Sequence, residues 1–167
     1  AEPGNYRVQA YAKEGTTRIS KNSEYVNVTE NENPNGFGNA VNNDGRTCDI
    51  TGPGEWNDTE LVIPETIDGY TVTGIRSFAF EYCGNITSAT FSEALQSIDF
   101  MAFHNCKNLK EISFAGYEEL TIEPMAFYGC NALSDVWFDG TMKELLAKIH
   151  DKTEIEGYSS GTVEYHL

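Results

Sequence analysis

Positive charge is scarce in this chain: 11 Lys and Arg stand against 26 Asp and Glu, a formal net charge of −15 at pH 7. Phosphate contacts depend on Lys and Arg, so a surface this acidic argues against nucleic acid and anionic lipid as partners. Long apolar runs are missing too. Nothing approaches the roughly 20 consecutive apolar residues that cross a bilayer, and membrane insertion is not expected. The four cysteines form no C-x-x-C and no Cys/His pair at zinc spacing, so neither a metal nor a cofactor is expected. Histidine is reduced to His104, His150 and His166, and along the chain none forms a cluster with carboxylates at ligand or general-base spacing.

What the chain does have is repetition. Ala79-Phe80-Glu81-Tyr82-Cys83, Ala102-Phe103-His104-Asn105-Cys106 and Ala126-Phe127-Tyr128-Gly129-Cys130 all read A-F-x-x-C, at intervals of 23 and 24 residues. Ile75, Ile98 and Ile122 precede the phrase in step, and Ile86, Leu109 and Leu133 follow it. Next come Ala89, Ile112 and Val136, then Phe91, Phe114 and Phe138. A fixed period in the twenties predicts a solenoid whose coils bury their apolar faces only by stacking. Alternation around the Ala/Ile/Val and Phe columns predicts one short strand per coil, paired in parallel at roughly 4.8 Å. Phe80, Phe103 and Phe127, with Cys83, Cys106 and Cys130, are the expected structural ladder. Side chains that point the same way on neighbouring coils give poor disulfide geometry, so free buried thiols are expected, and Cys48 is a candidate to extend their column.

The residues resemble the BspA-like leucine-rich repeats of bacterial surface and secreted proteins, whose repeat runs approximately L-x-x-I-x-I-P, a loop, I-G-x-x-A-F and a Cys. Leu61-Val62-Ile63-Pro64 through Ile67-Asp68-Gly69-Tyr70-Thr71-Val72-Thr73 is similar to the family's opening repeat, and Cys48-Asp49-Ile50-Thr51-Gly52 to the strand before it. The proline survives only as Pro64; Ser92 and Ala115 stand in its place on later coils. The resemblance implies an α/β-type leucine-rich-repeat solenoid, a right-handed superhelix with a short parallel β-sheet and a C-terminal helix-plus-strand cap. It also implies export, with the protein secreted or at the cell surface and its signal peptide removed.

Three regions follow: an N-terminal strand-containing cap or linker (1–43), about four leucine-rich coils (44–140) and a C-terminal cap (141–167). In the first, Tyr6–Tyr11 and Glu24–Thr29 read as strands and Asn31–Gly38 as a loop. In the last, Thr141-Met142-Lys143-Glu144 is a capping box. Met142, Leu145, Leu146 and Ile149 then form an apolar stripe, and Thr162–Leu167 alternates like a strand. Gly157-Tyr158-Ser159-Ser160-Gly161 matches G-x-S-x-G, but a nucleophile elbow needs a following helix, an acid and a histidine. Only His166 follows, so a turn explains it better and a small serine hydrolase is the remote alternative. Asn42–Gly45 likewise lacks calcium-loop ligands at the right positions and reads as a turn.

If the apolar columns face inward, strand parity puts Glu60, Val62, Ser88, Thr90, Glu111, Ser113, Asp135 and Trp137 on the exposed face. Trp137 is either an anchor for a sugar ring or a basic side chain, or is covered by the C-terminal segment. A full set of scaffold columns without a catalytic group points to a non-enzymatic recognition or adhesion module, monomeric, binding an extracellular protein or glycan. The alternative is a structural spacer in a larger cell-surface protein.

Overall fold

The computed structural model describes residues 33, 35–116, 118–148 and 163–167, all within one unit spanning residues 31–167. The segments Tyr6–Tyr11 and Glu24–Thr29, together with Ile149, His150 and Gly157–Gly161, lie outside the described residues.

The strands are β1 (Gly38–Val41), β2 (Thr47–Gly52), β3 (Glu60–Val62), β4 (Thr66–Ile67), β5 (Tyr70–Ile75), β6 (Ser88–Phe91), β7 (Ser97–Ile98), β8 (Glu111–Phe114), β9 (Thr121–Ile122), β10 (Asp135–Phe138) and β11 (Glu164–His166), with one short helix, α1 (Met142–Lys148). They build two sheets. The first runs β11-β10-β8-β6-β3, parallel at every pairing. The second runs β1-β2-β5-β7-β9, with β4 on β5. Over the described residues the fold is therefore a β-solenoid of stacked coils with almost no helix.

The alternation predicts one strand per coil, and the structure corrects this: the central coils each supply two, β6 then β7 and β8 then β9. The second strand is only two residues long, too short to show an alternation, but it carries the isoleucine column. Ile75 pairs with Ile98 and Ile98 with Ile122. Ile50 joins upstream by pairing with Ile75.

Register in the first sheet equals the sequence period. Ala89 pairs with Ile112 and Ile112 with Val136; Phe91 pairs with Phe114 and Phe114 with Phe138. All are buried, as are Ile86, Leu109 and Leu133. Between the sheets the rings stack coil on coil: Phe80 on Phe103 and Phe103 on Phe127, each at 5.2 Å between centroids and nearly parallel. Phe91 and Phe114 form a second stack at 5.0 Å. Offset stacking of buried rings adds about 0.5–1.5 kcal/mol per pair beyond area burial. Phe37 lies edge-on to Phe80 at 6.1 Å and stacks on Trp56. It closes the N-terminal end of the ladder from within the segment that the sequence reads as loop.

The A-F-x-x-C arc is a repeated turn. Phe78, Met101 and Met125 have φ of 62°, 54° and 60°, and Tyr82, Asn105 and Gly129 have 59°, 59° and 80°. These two left-handed positions let the chain fold back twice. Ala79 N–H donates to Arg76 O, and Cys83 N–H to Phe80 O, with the same bonds in the next two coils. The arc also bonds across coils: Phe80 N–H to Ala102 O and Phe103 N–H to Ala126 O, both at 2.8 Å. At the other end the capping box forms as its residues predict. Thr141 N–H donates to Glu144 Oε2 at 2.8 Å and Glu144 N–H to Thr141 Oγ1 at 3.3 Å, and Leu145 enters the core.

Candidate functional site

Inward burial of alternate residues forces their neighbours outward, and the first sheet shows the consequence strand by strand. Glu60 and Val62 are exposed on β3, Thr90 on β6, Glu111 on β8 and Trp137 on β10, while Ser88, Ser113 and Asp135 are half-buried on the same face. Register aligns them in two columns. One reads Glu60, Ser88, Glu111, Asp135 and the other Val62, Thr90, Ser113, Trp137. Strand β11 extends both, because Asp135 pairs with Glu164 and Trp137 with His166. The sequence reading missed these last two residues. Their signal was present in the alternation of residues 162–167, but no register to β10 could be set across a segment without repeat columns.

Four of the five residues in the first column are carboxylates, spaced at strand intervals of about 4.8 Å, so the face is electronegative. The second column ends in an aromatic platform: the Trp137 indole, 44% exposed, lies 3.8 Å from the His166 imidazole at an interplanar angle of 14°. The C-terminal strand thus covers one face of the Trp137 ring and leaves the rest to solvent. His166 Nε2–H donates to Asp135 Oδ1 at 3.0 Å and the Ser134 hydroxyl donates to Asp135 Oδ2 at 2.7 Å. These bonds, that of His166 first, hold the Asp135 carboxyl below the usual carboxylate range. Ligand atoms of Asp135, Glu164 and His166 all lie within 4.8 Å of one another.

A second histidine is also paired. Asn105 Nδ2 donates to His104 Nε2 at 2.7 Å, which places the proton on Nδ1, and that nitrogen meets Glu81 Oε1 at 2.7 Å. The imidazole lies between the Tyr82 and Tyr128 rings, tilted, at 5.3 and 5.4 Å. The expectation of no histidine/carboxylate cluster is therefore corrected twice, by His104 with Glu81 and by His166 with Asp135. Linear spacing hides both. Yet Glu81, His104 and Tyr128 occupy one column of the repeat, so the first contact was legible as a neighbour one coil away.

A family model described as BspA type leucine-rich repeat region matches residues 57–159 in six copies. The chain belongs to this family. Among solved structures, a leucine-rich repeat protein from Bacteroides capillosus ATCC 29799 aligns with a TM-score of 0.64 at 23% identity, over 80% of this chain and 96% of that one. The T. pallidum leucine-rich repeat protein TpLRR aligns at 0.56 and 25% identity, over 62% of this chain. A leucine rich cell surface protein from Faecalibacterium prausnitzii A2-165 aligns at 0.52 and 24%, over 60% of this chain and 28% of that one. The chain spans about half the length of the T. pallidum protein it matches, 47%. Among curated proteins none matches.

Within this BspA-type frame the repeated cysteine is a packing residue. Cys106 Sγ–H donates to Phe80 O at 3.1 Å and Cys130 Sγ–H to Phe103 O at 3.2 Å, each reaching back one coil. All four cysteines are free thiols. A hydrogen bond with Cys130, followed by burial, raises the Cys106 thiol far above its ordinary value, so it stays protonated and inert. Cys83 departs from the expected burial: it is half-buried, because it opens the column and has no Phe carbonyl from a preceding A-F-x-x-C arc beneath it. Its thiol is still pushed up to about 11 by desolvation. Cys48 does not extend the column. It lies on β2, paired with Val72, with Sγ 3.9 Å from Tyr70 O.

Loops on the flank of the first sheet enclose an open depression of about 400 Å³ lined by Glu93, Ala94, Gln96, Ala115, Gly116, Glu118 and Glu119. Its three glutamates continue the negative character of the face. Asn42–Gly45 is a turn, as its composition predicts: Asp44 Oδ1 accepts from Arg46 N–H and Thr47 N–H.

Proposed function

We propose that this chain is a non-enzymatic recognition or adhesion module of a bacterial surface or secreted protein, and that it binds an extracellular protein or glycan through the exposed face of the first sheet. In this reading 44–140 is the repeat region, 1–43 a cap or linker, and α1 with β11 the cover over the last coil. The single observation that carries it is the contrast between columns. Inward positions hold like residues on every coil, whereas the outward row from Glu60 and Val62 to Asp135 and Trp137 changes at each step and ends in an aromatic platform. Invariant packing beneath a varied surface is how a repeat scaffold supports recognition. The carboxylate column favours a partner that brings positive charge, and Trp137 offers a face for a sugar ring or a cationic side chain.

The test begins with a screen of the whole chain, displayed multivalently because a surface of about four coils binds weakly, against a glycan array and a panel of basic extracellular proteins. Replacing Glu111 and Trp137 together with Ala is expected to abolish capture of any hit while lowering the melting temperature by only a few degrees. Undiminished capture by that double variant would remove this face from consideration.

The spacer reading is favoured by one observation: the chain covers only 28% of the F. prausnitzii cell surface protein. A spacer would show no hit in the screen, and its outward substitutions would be silent in the complete protein.

A further inference from the structure

The end of the sheet brings together three side chains whose closeness the recognition reading does not explain. Asp135 and Glu164 face each other across the β10–β11 pair, and His166 follows Glu164 two positions along β11, beside Trp137. Period-two geometry sends all three to the same face, and their ligand atoms lie within 4.8 Å of one another. We infer that Asp135, Glu164 and His166 form a binding site for one divalent transition metal ion of the zinc type, fastening β11 to the last repeat strand.

Four features of the geometry carry this. First, the 3.0 Å between His166 Nε2 and Asp135 Oδ1 is within about half an ångström of the roughly 3.4 Å between neighbouring ligands of a tetrahedral ion that each binds at roughly 2.0–2.2 Å. An ion can therefore replace the hydrogen bond with only a small outward movement of the two groups. Shifting the imidazole proton from Nε2 to Nδ1 frees the Nε2 lone pair without any net change in charge. Second, the ligands are oriented before an ion arrives: Trp137 fixes the plane of the imidazole by stacking at 3.8 Å, and the Ser134 hydroxyl holds the other oxygen of Asp135 at 2.7 Å. Such outer contacts typically change metal affinity by about 10–100-fold. Third, the donor set is one imidazole nitrogen and two carboxylates, which suits zinc and its neighbours; calcium prefers six to eight oxygens. Fourth, all three side chains keep access to solvent: Glu164 is exposed, and Asp135 and His166 are half-buried. An ion can enter without opening the core, and water can complete its coordination shell. The linear sequence concealed the set because Asp135 and His166 are 31 positions apart.

The consequence is structural. Strand β11 is an edge strand whose strand partner among the described residues is β10, with Val163 and Tyr165 packed against the core. An ion bridging Asp135 on β10 to Glu164 and His166 on β11 stabilises the folded state by mass action, with a gain that grows as the logarithm of one plus the ratio of free metal to its dissociation constant.

The test uses the whole chain, stripped with a chelator and titrated with Zn²⁺ by calorimetry and thermal melting. One ion per chain is expected, with a metal-dependent rise in melting temperature. His166→Ala and Glu164→Gln should each weaken binding at least about tenfold, whereas His104→Gln should leave it unchanged. Excess Ca²⁺ should not compete. Cu²⁺ is expected to quench tryptophan fluorescence in the parent and to lose most of that effect in Trp137→Phe. Glu164→Gln is the conservative control, since an exposed amide in place of a carboxylate keeps β11 paired, which its unchanged metal-free melting curve should show. Absence of saturable Zn²⁺ binding, or Zn²⁺ affinity that survives both His166→Ala and Glu164→Gln, would overturn the assignment. Displacement by equimolar Ca²⁺ would overturn its transition-metal character.

Discussion

The inward and outward columns of the first sheet share the same strands and obey opposite rules. Inward, Ala89, Ile112 and Val136 and then Phe91, Phe114 and Phe138 repeat their character at every coil, and all are buried. Outward, one column interrupts its carboxylates with Ser88, and the other passes from Val62 through Thr90 and Ser113 to Trp137. Each inward side chain is packed by the equivalent groups above and below, so a change on one coil is felt on two others. An outward side chain has solvent on one side and a single neighbour along its column on each flank. The first arrangement makes residues interdependent, and the second leaves them free to differ. That difference is why stability and recognition can be separated by substitution in this fold.

The strongest way to break the comparison is at the middle of the ring ladder. Phe103 stacks on Phe80 and Phe127 at 5.2 Å and meets Phe91 edge-on at 5.7 Å. Phe103→Ala is expected to cost about 3–5 kcal/mol, read as a fall in the denaturant midpoint with an unchanged slope. A loss below about 1 kcal/mol would mean that the rings do not support one another.

Next is the turn. Gly129 has φ of 80° and is buried, and a Cβ there would collide with the Asn105 carboxamide, itself held by His104. Gly129→Ala should cost about 1–3 kcal/mol in the same assay. At the equivalent position on other coils, Tyr82 and Asn105 already carry side chains at φ of 59°; Tyr82 is 65% exposed, so Tyr82→Gly should cost less than about 1 kcal/mol, sharpening the contrast between a position that needs glycine and one that does not.

Outward, Trp137→Ala removes the stack on His166, and a loss of about 0.5–1.5 kcal/mol is expected, well below that of Phe103→Ala despite the larger side chain. The thiol column gives a pH test. Cys83 is raised from 9.0 to about 11, and Cys106 further in the same direction. The folded state thus retains protons that the unfolded chain releases above pH 9, and stability is expected to fall as pH rises from 9 towards 11. Cys83→Ala should flatten part of that slope in melting curves taken across the window. The smallest effect expected is a gain. The Ser92 hydroxyl is buried without a hydrogen-bond partner among the described residues, so Ser92→Ala should stabilise by a few tenths to about 1 kcal/mol.

The parts legible in the sequence are those that repeat. Period, parity and register in the first sheet follow from columns that hold the same residue, since a buried aliphatic or Phe has few substitutes at a fixed distance from its copies. The second sheet was hidden along the central coils because two-residue strands such as Ser97–Ile98 show no alternation, whereas its six-residue strand β2 was legible from Cys48–Gly52. Phe37 was hidden in an Asn- and Gly-rich stretch whose composition reads as loop, although the exposed start of the Phe ladder required some cover. The Trp137–His166–Asp135 grouping arose from a pairing without any repeated partner, and only the fold could bring it together. His104 with Glu81 was within reach, because the repeat register already placed them one coil apart.

The central claim is that like residues superimpose on successive coils, and the bonds that run between coils test it most directly. Phe80 N–H donates to Ala102 O and Phe103 N–H to Ala126 O, both at 2.8 Å. Amide hydrogen exchange followed by NMR should find these two protons among the slowest in the chain, opening only with global unfolding. Exchange at the rate of the exposed loop around Asn57 would contradict the stacked solenoid.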